Sequence, residues 1–157
     1  MFNEGQCVIC GLKCRKHLCK KHRRAFRFVK KYGFFALKPK LKISEPQREL
    51  YLNTRGIFRK PTFQEVTFDF YHYSRYDIVV PDHRLILEYD GEQHFKFIKM
   101  FHKSKGGFEA YKQKEKLKEE MAFVNDWKVV RFSYIEKVDD SEFIRKKLRL
   151  KCPTIKL

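Results

Sequence analysis

The stretch RYDIVVPDHRLILEYDGEQHF, residues 75 to 95, admits few folds. Tyr76 to Val80 and Leu85 to Asp90 are both rich in β-branched and large apolar residues. Pro81-Asp82-His83-Arg84 between them carries turn chemistry. The pattern predicts a β-hairpin. If Val80 and Leu85 close it, the antiparallel register sets Asp77 directly opposite Glu88 on a shared face, with Cβ atoms roughly 5 Å apart. The period of two then brings Asp90 onto that face beside Glu88. Three carboxylates crowd a strand pair whose other positions are mostly apolar.

Carboxylates placed in this way repel and desolvate one another unless positive charge sits among them. A hard divalent cation such as Mg²⁺ meets that need, because it takes carboxylate oxygens and keeps waters for chemistry. The alternative is an acidic face turned to solvent. Against it, the chain is basic nearly everywhere else, and Gly91 and His94 follow the acids at once.

The basic excess is uneven. Residues 1 to 43 hold thirteen Lys/Arg against the single acid Glu4, which leaves +12 of the formal +17 there and +5 beyond. Such asymmetry predicts a polyanion partner, nucleic acid ahead of an anionic membrane surface. With 43% hydrophobic and 16% aromatic residues, a disordered tail-like chain is excluded. No apolar run approaches the ~20 residues of a membrane span, and no signal-peptide pattern opens the chain. The expectation is a soluble intracellular protein, cytoplasmic or at the nucleoid or nucleus.

Four of the five cysteines fall within residues 7 to 19. In a reducing compartment such clustering argues for metal and not for disulfides. Cys7 and Cys10 form a CxxC knuckle, and Cys19-Lys20-Lys21-His22 supplies a second pair. Two close pairs of soft or borderline ligands suit tetrahedral Zn²⁺, which would replace the hydrophobic core that so short a piece lacks. Cys14 and His17 compete for ligation, so other ligand sets remain open. Arg23, Arg24, Arg27, Lys30 and Lys31 follow among aromatics, and cations at this spacing contact phosphates without reading sequence. Cys152, alone near the end, reads as a plain thiol.

The rest of the chain divides into a linker at 34–43 and a domain at 44–157. Ser44, Pro46 and Gln47 predict a helix start, with the helix running to about Arg55 and stopping at Gly56. A strand is expected within 57–73, then the hairpin, then a mobile loop over Lys103 to Gly107. A helix over 109–125 follows, with Ala110, Leu117, Met121 and Val124 near one face. Trp127 to Tyr134 is a strand, and Asp139-Asp140-Ser141 opens a last basic helix through about Leu150. The order is helix, three strands, helix, strand, helix.

Two resemblances attach to these residues. The pattern CxxC, then LCxxH, then a basic-aromatic run closing at Tyr32-Gly33 resembles the small zinc modules appended to phage and mobile-element endonucleases. It supports Cys7, Cys10, Cys19 and His22 as the zinc ligands. The element order with acids on the second and third strands resembles the PD-(D/E)XK restriction-endonuclease-like superfamily. EYDGEQHF is most similar to its branch of very-short-patch-repair and phage homing endonucleases. This resemblance implies an α/β (α+β) fold with an αβββαβ core. It also implies Asp77 and Glu88 as the Mg²⁺-holding acid pair, Asp90, Gly91, Gln93 and His94 as the branch's extension, and Glu45 as an acid of the first helix. Asp90 stands where most members place lysine, so the resemblance leaves proton handling to His94, whose ordinary pKa lies near neutrality.

The implied activity is metal-assisted hydrolysis of phosphodiester bonds in double-stranded DNA by a homing-type or mobile-element endonuclease, catalysed by Asp77, Glu88, Asp90, His94 and Glu45. Because one metal site hydrolyses one strand at a time, a homodimer on DNA is the assembly expected for duplex breaks. Two other readings stand beside it. One is a mismatch or damage nickase of the same fold, and the other is a non-catalytic zinc-containing nucleic-acid-binding protein.

Overall fold

The computed structural model describes residues 34–36, 43–68, 70–98, 104–155 and 157. The expected zinc ligands Cys7, Cys10, Cys19 and His22, their competitors Cys14 and His17, and the phosphate-binding candidates Arg23, Arg24, Arg27, Lys30 and Lys31 all lie outside the described residues.

The protein is mixed α/β. Its elements are β1 (Phe34–Ala36), α1 (Glu45–Phe58), β2 (Phe63–Phe68), β3 (Tyr71–Val80), β4 (Leu85–Asp90), α2 (Lys105–Val124), β5 (Lys128–Ser133) and α3 (Ser141–Lys151). The strands form one sheet in sequence order, β1-β2-β3-β4-β5. From α1 onward the order is the expected one. A departure is β1, which falls inside the expected linker and pairs Phe34 with Phe68 of β2.

Helix α1 starts where the sequence predicts. The Ser44 hydroxyl accepts from the Gln47 N–H, and Pro46 sits in the first turn. The helix does not stop at Gly56. It runs on to Phe58 and ends at Arg59, whose φ of 50° is left-handed. Burying Ile57 and Phe58 is worth about 1.5–3 kcal/mol each, more than the roughly 1 kcal/mol that a mid-helix glycine costs. Helix α2 also begins earlier than expected, because Ser104 accepts from the Gly107 N–H and draws residues 105–107 out of the expected loop.

The hairpin closes as read, Val80 opposite Leu85, with Pro81–His83 forming a single 3₁₀ turn. β4 and β5 are parallel, with Glu88 beside Arg131 and Asp90 beside Ser133. Parallel neighbours need a crossover, and α2 is that crossover. The sheet is therefore covered on both faces. α1 and α3 lie on one, sealing Leu50, Ile78, Leu87, Phe132 and Leu148. α2 lies on the other, over Tyr76, Val79, Ile86 and Trp127.

The face that α2 turns to the sheet differs from the expected one. Ala110 is exposed, as are Leu117 at 47% and Val124 at 69%, while Lys118 and Ala122 are buried. The inward stripe is Tyr111, Glu115, Lys118 and Ala122, which follows helical spacing and is mostly polar. The reason lies beneath it, in the acids of β3 and β4.

Candidate metal-binding and catalytic site

The β3–β4 ladder pairs Val80 with Leu85, Val79 with Ile86 and Ile78 with Leu87. The pairing ends there, and at the next residues, Asp77 and Glu88, side chains take over from the backbone. The Asp77 N–H donates to Glu88 Oε1 at 3.3 Å, and the Tyr89 N–H donates to Asp77 Oδ2 at 2.8 Å. Each carboxylate is thus fixed by the other strand's main chain. Both belong to the face covered by α2, since Lys118 reaches down to set its Nζ 2.6 Å from Glu88 Oε2.

Glu88 is 4% exposed and Lys118 likewise 4%. A buried ion pair survives only with good geometry and further hydrogen bonds. Here the Asp77 N–H donates to the other Glu88 oxygen, and the lysine is positioned by Tyr76. Its hydroxyl donates to the Lys118 carbonyl at 2.8 Å, and its ring centroid lies 4.9 Å from the ammonium. Among the described residues, Lys118 is the one cation in an ion pair with either acid. It does not balance them. Burial, then the Asp77 charge, pushes Glu88 up to about 8 despite Lys118. Burial pushes Asp77 up to about 6, against the pull of Lys118 and the Tyr89 N–H. Lys118 itself is lifted above its ordinary value: burial works against that, but Glu88, Glu115 and Asp77 outweigh it.

Asp90 shares the face but not the company. Arg131, one strand over, grips it with two hydrogen bonds, Nε to Oδ2 at 2.7 Å and Nη2 to Oδ1 at 2.6 Å. The same Nη2 donates to Glu115 Oε2 at 2.9 Å. His94, on a 3₁₀ turn over Glu92–His94, places Nδ1 3.3 Å from Asp90 Oδ1. The Tyr111 hydroxyl lies 2.8 Å from its Nε2. Burial lowers the His94 pKa, with Asp90 and Glu115 opposing, so the ring is neutral near pH 7. Gly91 makes the turn compact, since a Cβ there would stand 2.4 Å from Gln93 Oε1.

Two cavities result, divided by a wall of His94, Tyr111 and Glu115. A larger one of about 570 Å³ holds Asp77, Glu88, Lys118, Gln93, Gln47 and Glu65. A smaller one of about 260 Å³ holds Asp90 and Arg131. A third, apolar groove of about 830 Å³ lies at the far end of α2 around Phe123 and Trp127, away from the acids.

The structure places Asp77 and Glu88 together in the larger cavity and Asp90 in the smaller one, with His94 on the wall between them. It does not bring Glu45 with them, because Glu45 is exposed in the first turn of α1. Its place is taken by Gln47, one half-turn on, whose Nε2 donates to Glu65 at 2.7 Å. Glu65 adopts φ 51° in mid-strand, one residue before the stretch between Val66 and Phe68 where β2 slips register against β3. A non-glycine residue in that region costs on the order of 1–3 kcal/mol and is held there by its surroundings. Glu65, Tyr111, Glu115, Lys118 and Arg131 were not legible as site residues. The last four would be found by asking which helix and strand positions share a face with Glu88 once the crossover is granted.

The half-buried Asp77 and buried Glu88 carboxylates, short of compensating charge, fit a hard divalent cation. Asp90, His94 and Glu115 could also converge on an ion, their ligand atoms lying within 4.8 Å of one another. Cys152 is a buried free thiol whose pKa burial raises, and it plays no part here. Among the described residues no helix is long and apolar enough to cross a membrane. Comparison with protein-family models, curated proteins and solved structures finds no match to this chain.

Proposed function

We propose that the chain is a Mg²⁺-dependent DNA endonuclease of the PD-(D/E)XK type, similar to homing and very-short-patch-repair enzymes. The observation that carries this reading is the opposed pair Asp77 and Glu88, each bound to the other strand's backbone and together short of positive charge. Mg²⁺, when bound, supplies Lewis acidity toward a phosphate oxygen and a water of lowered pKa.

The chain's own residues do the rest. Asp77 and Glu88 provide the oxygens for the ion. Lys118 holds Glu88 in place and puts a fixed positive charge beside the acids, offsetting charge that develops on the phosphate in the transition state. It supplies from α2 the cation whose usual strand position Asp90 occupies. His94, neutral and steadied by Asp90 and Tyr111, accepts a proton at the cavity wall. The basic N-terminal residues hold the DNA backbone, with Zn²⁺ at Cys7, Cys10, Cys19 and His22 fixing their segment.

The test is cleavage of supercoiled plasmid by purified protein. Activity should require Mg²⁺ or Mn²⁺, vanish with chelator, and be lost in Glu88→Gln. Metal-independent cleavage, or none with any divalent ion on any duplex, would put the binding-protein reading ahead.

A further inference from the structure

Asp90, His94 and Glu115 are by themselves a donor set for a divalent metal, two carboxylates and an imidazole within 4.8 Å. Yet the middle of that set is occupied. Arg131 spends Nε and Nη2 on Asp90 and the same Nη2 on Glu115, at 2.6 to 2.9 Å. A planar guanidinium matches carboxylates in this fork geometry and keeps its charge at any working pH. Its backbone is equally fixed, because Arg131 pairs beside Glu88 in the parallel β4–β5 ladder.

We propose that the Arg131 guanidinium is the site's second cation, filling the space between Asp90 and Glu115 that a divalent ion would otherwise take. This rests on the nuclease reading above. Here one ion belongs to Asp77 and Glu88 in the larger cavity, and Arg131 stands beyond the His94, Tyr111 and Glu115 wall in the smaller one. With the Asp90, His94 and Glu115 set filled, the carboxylates of Asp77 and Glu88 are the pair left for an ion, and oxygen donors of this kind suit Mg²⁺.

Mn²⁺ bound per full-length chain, counted by electron paramagnetic resonance of the free ion, tests this. Mn²⁺ accepts carboxylate and imidazole but is a poor match for the cysteine-rich N-terminal segment. Wild type should bind one ion, lost in Asp77→Asn and retained in Glu115→Gln. Arg131→Gln should bind two, the second lost again on adding His94→Ala. Two ions on the wild type, one ion that Glu115→Gln removes, or Arg131→Gln remaining at one would each overturn the inference. In those cases plasmid cleavage still judges the nuclease reading separately. No ion on the wild type would overturn both together. If circular dichroism shows Arg131→Gln unfolded, wild type and Glu115→Gln decide: one ion on each supports the inference, and any other count overturns it.

Discussion

Lys118 places its ammonium 2.6 Å from Glu88 Oε2, both side chains buried, across the gap between a crossover helix and the strand it serves. Removing one partner of such a pair costs roughly 3–5 kcal/mol when the other stays charged. Glu88 has an escape, since it takes a proton at about 8 even with Lys118 present. Lys118→Met should therefore lower stability in chelator by a smaller margin, on the order of 2 kcal/mol, and the loss should shrink in a Glu88→Gln background. Equal losses in the two backgrounds, measured by thermal melts, would mean that the pair contributes no coupling.

Cleavage should follow the acids more steeply than folding does. Asp77→Asn and Glu88→Gln each keep shape and remove a charged oxygen, so plasmid cleavage should fall by orders of magnitude while DNA affinity holds or rises, with one negative charge fewer facing phosphate. Asp90→Asn weakens the hold on Arg131 and His94 and should cut the rate less, by about 10–100-fold. His94→Ala should slow cleavage and change its pH profile. Asp82→Asn, in the exposed hairpin turn, should cleave normally. A Glu88→Gln protein as active as wild type would remove this site from consideration.

The hairpin was legible because its register follows from alternation and a turn, and both are local. Val80 opposite Leu85 and the two pairs beyond it bring the strands to Asp77 and Glu88. The residues from α2 were hidden by the same reasoning that usually succeeds. A helix is read by its apolar face, and in α2 Leu117, Phe123 and Val124 are exposed while Lys118 is buried. A face packed on ionised strands selects charge, and no periodicity of hydrophobic residues reports that. Glu45 and Gln47 illustrate a different limit. Composition marks the first turn of α1 as able to supply a polar group, but which residue points inward depends on how α1 lies across the sheet.

Glu65 offers a test whose sign is unusual. In an ordinary strand, alanine is more stable than glycine by about 0.5–1 kcal/mol. At φ 51° the order should reverse, because alanine meets the left-handed penalty of roughly 1–2 kcal/mol and glycine does not. Glu65→Gly should melt above Glu65→Ala, and both should cleave more slowly than wild type through loss of the bond from Gln47. Glu65→Ala melting higher than Glu65→Gly would show that the left-handed backbone at this position carries no strain.

The N-terminal cations make a prediction about salt. Each phosphate contact contributes about 0.9 to the slope of log affinity against log salt on duplex DNA. Replacing Arg23, Arg24 and Arg27 by alanine should flatten the slope by up to about 3 and weaken all sequences alike. Zinc analysis of the purified full chain should give one ion per molecule, lost in Cys7→Ala. An unchanged slope would place the DNA-binding surface elsewhere, and a zinc-free protein would remove the module.

The acid pair also sets how stability responds to pH, and the direction can be worked out. Burial raises Asp77 from 3.8 to about 6, and burial with Asp77 raises Glu88 from 4.5 to about 8. A carboxyl whose pKa is higher folded than unfolded holds its proton more tightly in the native state. Its contribution is complete below the unfolded pKa and is lost as pH rises through the folded one. In chelator, Tm should therefore decline across roughly pH 4 to 8 by more in wild type than in Glu88→Gln. One pK unit is about 1.4 kcal/mol, which a domain of this size shows as about 3–6 °C. A divalent cation needs the deprotonated pair, so it competes with those protons. Mg²⁺ should raise the wild-type Tm more at pH 8 than at pH 5, and binding should release protons into weak buffer. A wild-type Tm that climbs over this window relative to Glu88→Gln, or a Mg²⁺ gain larger at pH 5, would mean the two acids are already balanced by the protein and have no need of an ion.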